Sequence, residues 1–158
     1  MKNNFLITGL KRKDFLWLNA MTTEELEAKN IKKQIVDSSP GFPCRISLKE
    51  GLIGETTYLL NYHHLSMQSP YDATGPIFVT LGKGESALQL NEIPSVIYDR
   101  FTSLRCYDIL GMIIDAYLYE PKSLTPEVIS HILANDKIAF VDVHNAARGC
   151  YSARINRA

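Results

Sequence analysis

Helix signals are too sparse in this sequence to supply the crossovers that a parallel sheet needs. Two stretches carry them. In Met21-Thr22-Thr23-Glu24-Glu25-Leu26, Thr22 and Glu25 fit a capping box and Met21 and Leu26 the accompanying staple. This predicts a helix over Thr23–Lys29. Thr125-Pro126-Glu127 offers an N-cap threonine, a proline at the first helical position and an acid in the first turn. An apolar stripe of Val128, Ile129, Ile132 and Leu133 follows. A third, shorter helix is read over Lys13–Asn19.

Most of the remainder reads as extended structure punctuated by Gly and Pro. Strands are predicted over Asn4–Leu10, Ile31–Asp37, Arg45–Leu48, Glu55–Tyr62 and Pro76–Leu81. Glu55–Tyr62 carries apolar groups on both faces, which suits a central strand. Thr102–Asp108 and Gly111–Tyr119 read as two strands about a tight turn, with a helix over Ile109–Tyr117 as the alternative. Lys137–His144 and Gly149–Asn156 read as a hairpin tipped by Asn145–Arg148, and His63–Gly75 as a long loop. The fold class is α+β: an antiparallel or mixed sheet, with a partly closed barrel as a variant, packed by two or three short helices. No linker or repeat divides the chain, so residues 1–158 read as a single domain.

A chain of 158 residues buries about 68–70% of its unfolded surface and needs no metal or disulfide merely to hold a core. Lys+Arg and Asp+Glu are each 17, so there is no long-range positive field to gather nucleic acid, and no such partner is expected. No apolar run approaches the length of a membrane helix, and no membrane partner is expected. Three cysteines and no secretion signal point to reduced thiols and a cytoplasmic location.

Chemistry-bearing residues gather at the loops. Cys44 beside Arg45, after a Gly/Pro loop, is a candidate nucleophile, because a neighbouring guanidinium favours thiolate; a buried small hydrophobe is the other reading. Asp142 and His144 share one strand face, and a carboxylate there would orient the ring or raise its pKa. Arg148-Gly149 offers a guanidinium and an open backbone N–H to an anion. Tyr71, in a loop long enough to act as a lid, offers a phenol. His63-His64 directly follow the central strand, where neighbours point to opposite faces, so one imidazole could enter a pocket while the other faces water or packs; a structural or surface role for each is the other reading. No HxH, HxxxH or CxxC spacing occurs, so no metal ligand is assigned. No Gly-rich phosphate loop or nucleophile elbow is present, and no cofactor is named by the pattern.

An ordered set of motifs carries a resemblance. It comprises Ser39-Pro40-Gly41-Phe42-Pro43-Cys44-Arg45, Gly54-Glu55 with Leu59-Leu60-Asn61-Tyr62, and Ser69-Pro70-Tyr71 with Gly75-Pro76-Ile77-Phe78-Val79. Arg105-Cys106-Tyr107-Asp108, His144-Asn145, Gly149-Cys150-Tyr151 and Arg154-Ile155 complete it. In this order, nearly end to end, the chain resembles the bacterial family of unknown function DUF1203. The resemblance implies a bacterial, soluble, single-domain protein and no assigned activity.

Three functional readings follow. In the first, Ser38–Arg45, His63–Gly75 and His144–Gly149 converge on a cleft for a small anionic ligand. Arg45, Tyr71, Asn145, Arg148 and Gly149 bind it, and Cys44, Asp142 and His144 are available for catalysis. In the second, the chain is a non-catalytic interaction domain forming a homodimer. In the third, His63 or His64 joins His144 at a metal ion. The first is preferred, as binding without committed chemistry.

Overall fold

The computed structural model describes residues 3–158. Eight strands form two antiparallel sheets. β1 (Phe5–Thr8), β5 (Thr102–Tyr107), β6 (Ile113–Tyr119), β7 (Phe140–Asn145) and β8 (Tyr151–Arg157) make a five-stranded sheet in the order β1-β8-β7-β5-β6. β2 (Lys32–Ile35), β3 (Thr56–Leu65) and β4 (Ala73–Val79) make a three-stranded sheet with β3 in the middle. The helices are α1 (Thr23–Ala28), α2 (Ser95–Tyr98) and α3 (Pro126–Ile132). The fold is α+β. The sheets stay open at their edges, and the barrel variant does not form.

Both predicted caps are present. The Thr22 hydroxyl accepts from the Glu25 N–H, and the Glu25 carboxylate accepts from the Thr22 N–H. Thr125 caps α3 by accepting from the Val128 N–H. The apolar stripe of α3 turns Ile129 and Ile132, with the following Leu133, into the larger core. There they meet Leu104, Val141, Val143, Ala153 and Ile155 from one face of the five-stranded sheet. Each such side chain contributes roughly 1.5–3 kcal/mol of apolar burial. A second core lies over the three-stranded sheet, where Tyr58, Leu60, Ile77 and Val79 pack on Phe15, Leu18 and Leu26.

Several expectations change. Lys13–Asn19 lies within a 3₁₀ helix, Arg12–Ala20, that buries only Phe15 and Leu18. Arg45–Leu48 is a compact turn, with Leu48 at φ 53° and isolated bridges at Pro43–Glu50 and Cys44–Phe78. The His63–Gly75 loop is shorter than predicted, because β3 runs on to Leu65 and β4 begins at Ala73. Pro76 sits inside β4, opposite Asn61, and is tolerated because β4 is an edge strand. The helical alternative for Ile109–Tyr117 gives way to the β5–β6 hairpin.

Two ladder irregularities decide what meets between the sheets. The β3–β4 register shifts between Tyr62 and Leu65. Consecutive residues, His64 and Leu65, thereby both reach the second face of the five-stranded sheet. Leu65 packs on Tyr107 and Phe140, and His64 meets the rings of His144 and Tyr151. The β7–β8 register shifts between Val143 and His144, which sets Tyr151 opposite His144 and Arg154 opposite Asp142.

Candidate functional site

A cleft of about 660 Å³ opens where the Gly41–Arg45 segment, the β7–β8 tip and the Asp99–Phe101 turn approach one another. Its cations are Arg45, Arg100 and Arg148, with Asn145 and Cys150 beside them. Arg45 is the most constrained, at 3% exposure. Its Nε donates to the Tyr151 carbonyl at 2.8 Å and its Nη1 to the Pro43 carbonyl. No carboxylate is salt-bridged to it among the described residues. Burial lowers its pKa to about 10, so the guanidinium stays charged at neutral pH.

Arg100 differs. It is held by the Val96 carbonyl and is ion-paired to Glu50. The Glu50 carboxylate also accepts from the Gly41 and Phe42 N–H groups, tying the Gly/Pro loop to the cleft wall. Arg148 is exposed on the tip. The Asn145 side-chain oxygen is buried without a hydrogen-bond partner among the described residues.

Behind the cleft floor, the inter-sheet irregularities assemble a polar cluster. His144 is fully buried, and its Nδ1–H donates to the Gly149 carbonyl at 2.8 Å. A carbonyl only accepts, so Nδ1 carries the proton and Nε2 presents a lone pair. Among the described residues that Nε2 has no hydrogen-bond partner, and neither has Nδ1 of His64. The two rings meet edge to face at 5.1 Å, and His64 stacks on Tyr151 at 5.3 Å. Burial lowers both imidazole pKa values to about 4, with Arg105 acting in the same direction. Asp142, fully buried, takes a two-pronged pair from Arg154, at 2.7 Å and 3.0 Å. Burial raises its pKa, and the bonds from Arg154 oppose that. Arg105 lies opposite Asp142 on its other side, across β5.

The predicted residues therefore separate into groups. Arg45, Asn145 and Arg148 line one cleft. Asp142 and His144 are neighbours as read, but the ring is oriented by Gly149 and the carboxylate by Arg154. The expected rise in the His144 pKa is replaced by a fall, because burial outweighs the hydrogen bond to the Gly149 carbonyl. The Gly149 N–H is not open to an anion; at φ 79° it closes the tip by donating to the Asn145 carbonyl at 2.7 Å.

Cys44 is in the second core at 1% exposure, with its sulfur accepting from the Thr80 N–H and facing the Thr80 carbonyl. Tyr71 is exposed and meets Tyr107 edge-on at 6.4 Å. That is the Phe140 end of β7, roughly 16 Å along the strand from Asn145. Thiol, phenol and imidazole thus occupy three neighbourhoods. Of the three segments expected to converge, the first and third do, and the Asp99–Phe101 turn takes the place of the second. Of the pair His63-His64, His64 faces inward and His63 pairs at the surface with Asp72, at 2.7 Å.

Sequence reasoning missed Arg154 and Tyr151 as members of the cluster; Asp99 and Arg100, readable from the sequence as charges that could pair around a cleft, do line it, and Arg100 pairs with Glu50. Among the described residues no helix is long and apolar enough to cross a membrane. No curated protein and no solved structure matches the chain. The family model described as protein of unknown function, DUF1203, matches residues 41–157, which hold the cleft-lining residues and the buried cluster alike; the chain belongs to that family.

Proposed function

We propose that this protein binds a small anionic molecule, a carboxylate or a phosphate ester, in the cleft beneath the β7–β8 tip. One observation carries the reading: the Arg45 guanidinium lines the cleft almost wholly buried, charged, and with no salt-bridged carboxylate among the described residues. Taking such an ion out of water costs several kcal/mol. Two backbone carbonyls offset part of that, and an incoming anion would offset the rest. Arg148 would close over the ligand from the exposed tip, and the Asn145 side-chain amide would orient it by donating an Nδ2–H. Glu50 pairs with Arg100 and Asp99 adds one carboxylate to the lining, so the three arginines still leave the cleft net positive. The reading assigns binding and no reaction. The three free cysteines, two of them buried, fit a reducing compartment and a cytoplasmic location.

The test is calorimetric titration of inorganic phosphate and of succinate, with thermal unfolding followed in parallel. Saturable binding and a rise in Tm are expected for at least one, and Arg148→Ala weakens it about tenfold, the loss of one charge-assisted hydrogen bond. Absence of binding by both probes, or affinity indifferent to Arg148→Ala and Asn145→Ala, overturns the reading.

A homodimer is the second reading, favoured by the free edge of the five-stranded sheet. There β6 exposes Ile114 and Leu118, and the adjoining turn exposes Ile109 and Leu110. Light scattering decides it: a dimer that Leu118→Lys dissociates supports it, and a monomer at all concentrations ends it.

A further inference from the structure

We infer that His64, Asp142 and His144 form a binding site for one divalent first-row transition ion, distinct from the anion cleft. Their ligand atoms all lie within 4.8 Å of one another. Metal–ligand bonds of about 2.0–2.2 Å hold ligand atoms about 3.3–4.2 Å apart, so a small rotation of one ring closes the set.

The chemistry of the donors points the same way. The buried Nε2 of His144 and the Nδ1 of His64 have no hydrogen-bond partner among the described residues. An imidazole nitrogen sealed from water and left unpaired is costly, and either a metal ion or a trapped water would satisfy it. The outer shell that metal ligands need is already built. The Gly149 carbonyl fixes the His144 tautomer and aims Nε2 inward. Arg154 anchors both Asp142 oxygens, and each retains a second lone pair for a metal. Tyr151 stacks on His64 and holds its ring plane.

Two imidazoles and one carboxylate select ions such as Zn²⁺, Co²⁺ or Fe²⁺ over Mg²⁺ and Ca²⁺, which prefer all-oxygen shells. Three protein ligands leave a position for water or another ligand. His64 is the least buried of the three and marks the side of entry. The flanking charges set the strength. Arg154 cancels Asp142, and Arg105, the cross-strand neighbour of Asp142, is left over as a positive charge that opposes the ion. The site is thus tuned below the tightest structural zinc sites, and removal of Arg105 strengthens it.

The experiment uses the full-length chain, stripped with a chelator and titrated with Co²⁺ and then Zn²⁺. One equivalent of Co²⁺ is expected, with ligand-field bands of nitrogen and oxygen donors and no thiolate charge-transfer band. His64→Gln and His144→Gln each abolish the stoichiometric site, Cys150→Ser leaves it intact, and Arg105→Gln tightens binding. His64 is only partly buried, so its variant keeps the test valid if His144→Gln fails to fold. Failure of the wild-type chain to bind an equivalent overturns the inference, as a cluster bridged by water would. So does stoichiometric binding that survives in His64→Gln, or a sulfur charge-transfer band that disappears in Cys150→Ser.

Discussion

Replacing Arg154 by Met strips a fully buried carboxylate of its partner. Asp142 receives both of its hydrogen bonds from Arg154, and no other salt bridge reaches it among the described residues. Removing one member of a buried pair costs roughly 3–5 kcal/mol, because the remaining charge stays desolvated. Arg154 itself keeps 31% of its side-chain exposure, so water can follow where the guanidinium leaves. That favours the lower end, about 3 kcal/mol. Loss of the cation–π contact with Phe140, at 4.0 Å, adds roughly 0.5–1 kcal/mol.

The sign of the pH dependence follows from the raised pKa of Asp142. A carboxyl whose folded pKa lies above its unfolded value weakens the fold at high pH. That penalty disappears as pH falls through the folded pKa towards the unfolded one. Without Arg154 the folded pKa rises further. Most of the deficit of Arg154→Met should therefore be present at pH 7 and shrink on acidification. Urea unfolding at pH 7 and pH 5, with the m-value checked for constancy, measures both. The double variant Asp142→Leu/Arg154→Met should recover most of the loss. A deficit below about 1 kcal/mol at pH 7, or one that grows on acidification, would refute the reasoning.

Native alkylation followed by mass spectrometry should label Cys150 first. Cys44 and Cys106 should be protected until the chain unfolds, since both are buried and burial pushes the Cys106 thiol up to about 12. Rapid labelling of Cys44 would contradict its place in the core. The lowered His144 pKa of about 4 means that its neutral form is favoured by folding. The stability this contributes is complete above the unfolded value, near 6.5, and is lost as pH falls towards 4; it is on the order of 3 kcal/mol. His144→Gln should flatten that part of the curve, and an unchanged slope would contradict the assignment. Gly9→Ala would set a Cβ 2.3 Å from the Ile46 carbonyl oxygen, with no flexible side chain to yield. Thermal unfolding should show a loss of roughly 1–3 kcal/mol.

The sequence was most legible where local chemistry acts alone. Thr22 with Glu25 and Thr125 with Pro126 specify helix starts through backbone N–H groups a few residues away, and the structure has both. The apolar faces of β3 likewise announced a central strand. Legibility failed where one extra residue resets a register. A regular hairpin counted from the Asn145–Cys150 bond would set Ala153 opposite Asp142. Tyr151 keeps its place opposite His144, and the irregularity beside it sets Arg154 opposite Asp142 instead. The shift in β3 similarly turns His64 and Leu65 both inward.

The cleft was legible in part. Arg45, Asn145 and Arg148 were read from charge at loop ends, and they do meet. Arg45 reaches the cleft because its turn is pinned by the Cys44–Phe78 bridge, a contact without any local signature. Cys44 was drawn in by its neighbour. Adjacent residues in that turn point apart, so the arginine faces the cleft while the thiol enters the core.

The most direct test of the anion cleft is side-chain NMR of the Arg45 guanidinium during titration with phosphate or succinate. The Nε–H, held on the Tyr151 carbonyl, should give a protected signal in the free protein. It should shift saturably with ligand, with a midpoint equal to the calorimetric Kd. A ligand that binds while the Arg45 signals stay fixed would place the anion elsewhere and contradict the account.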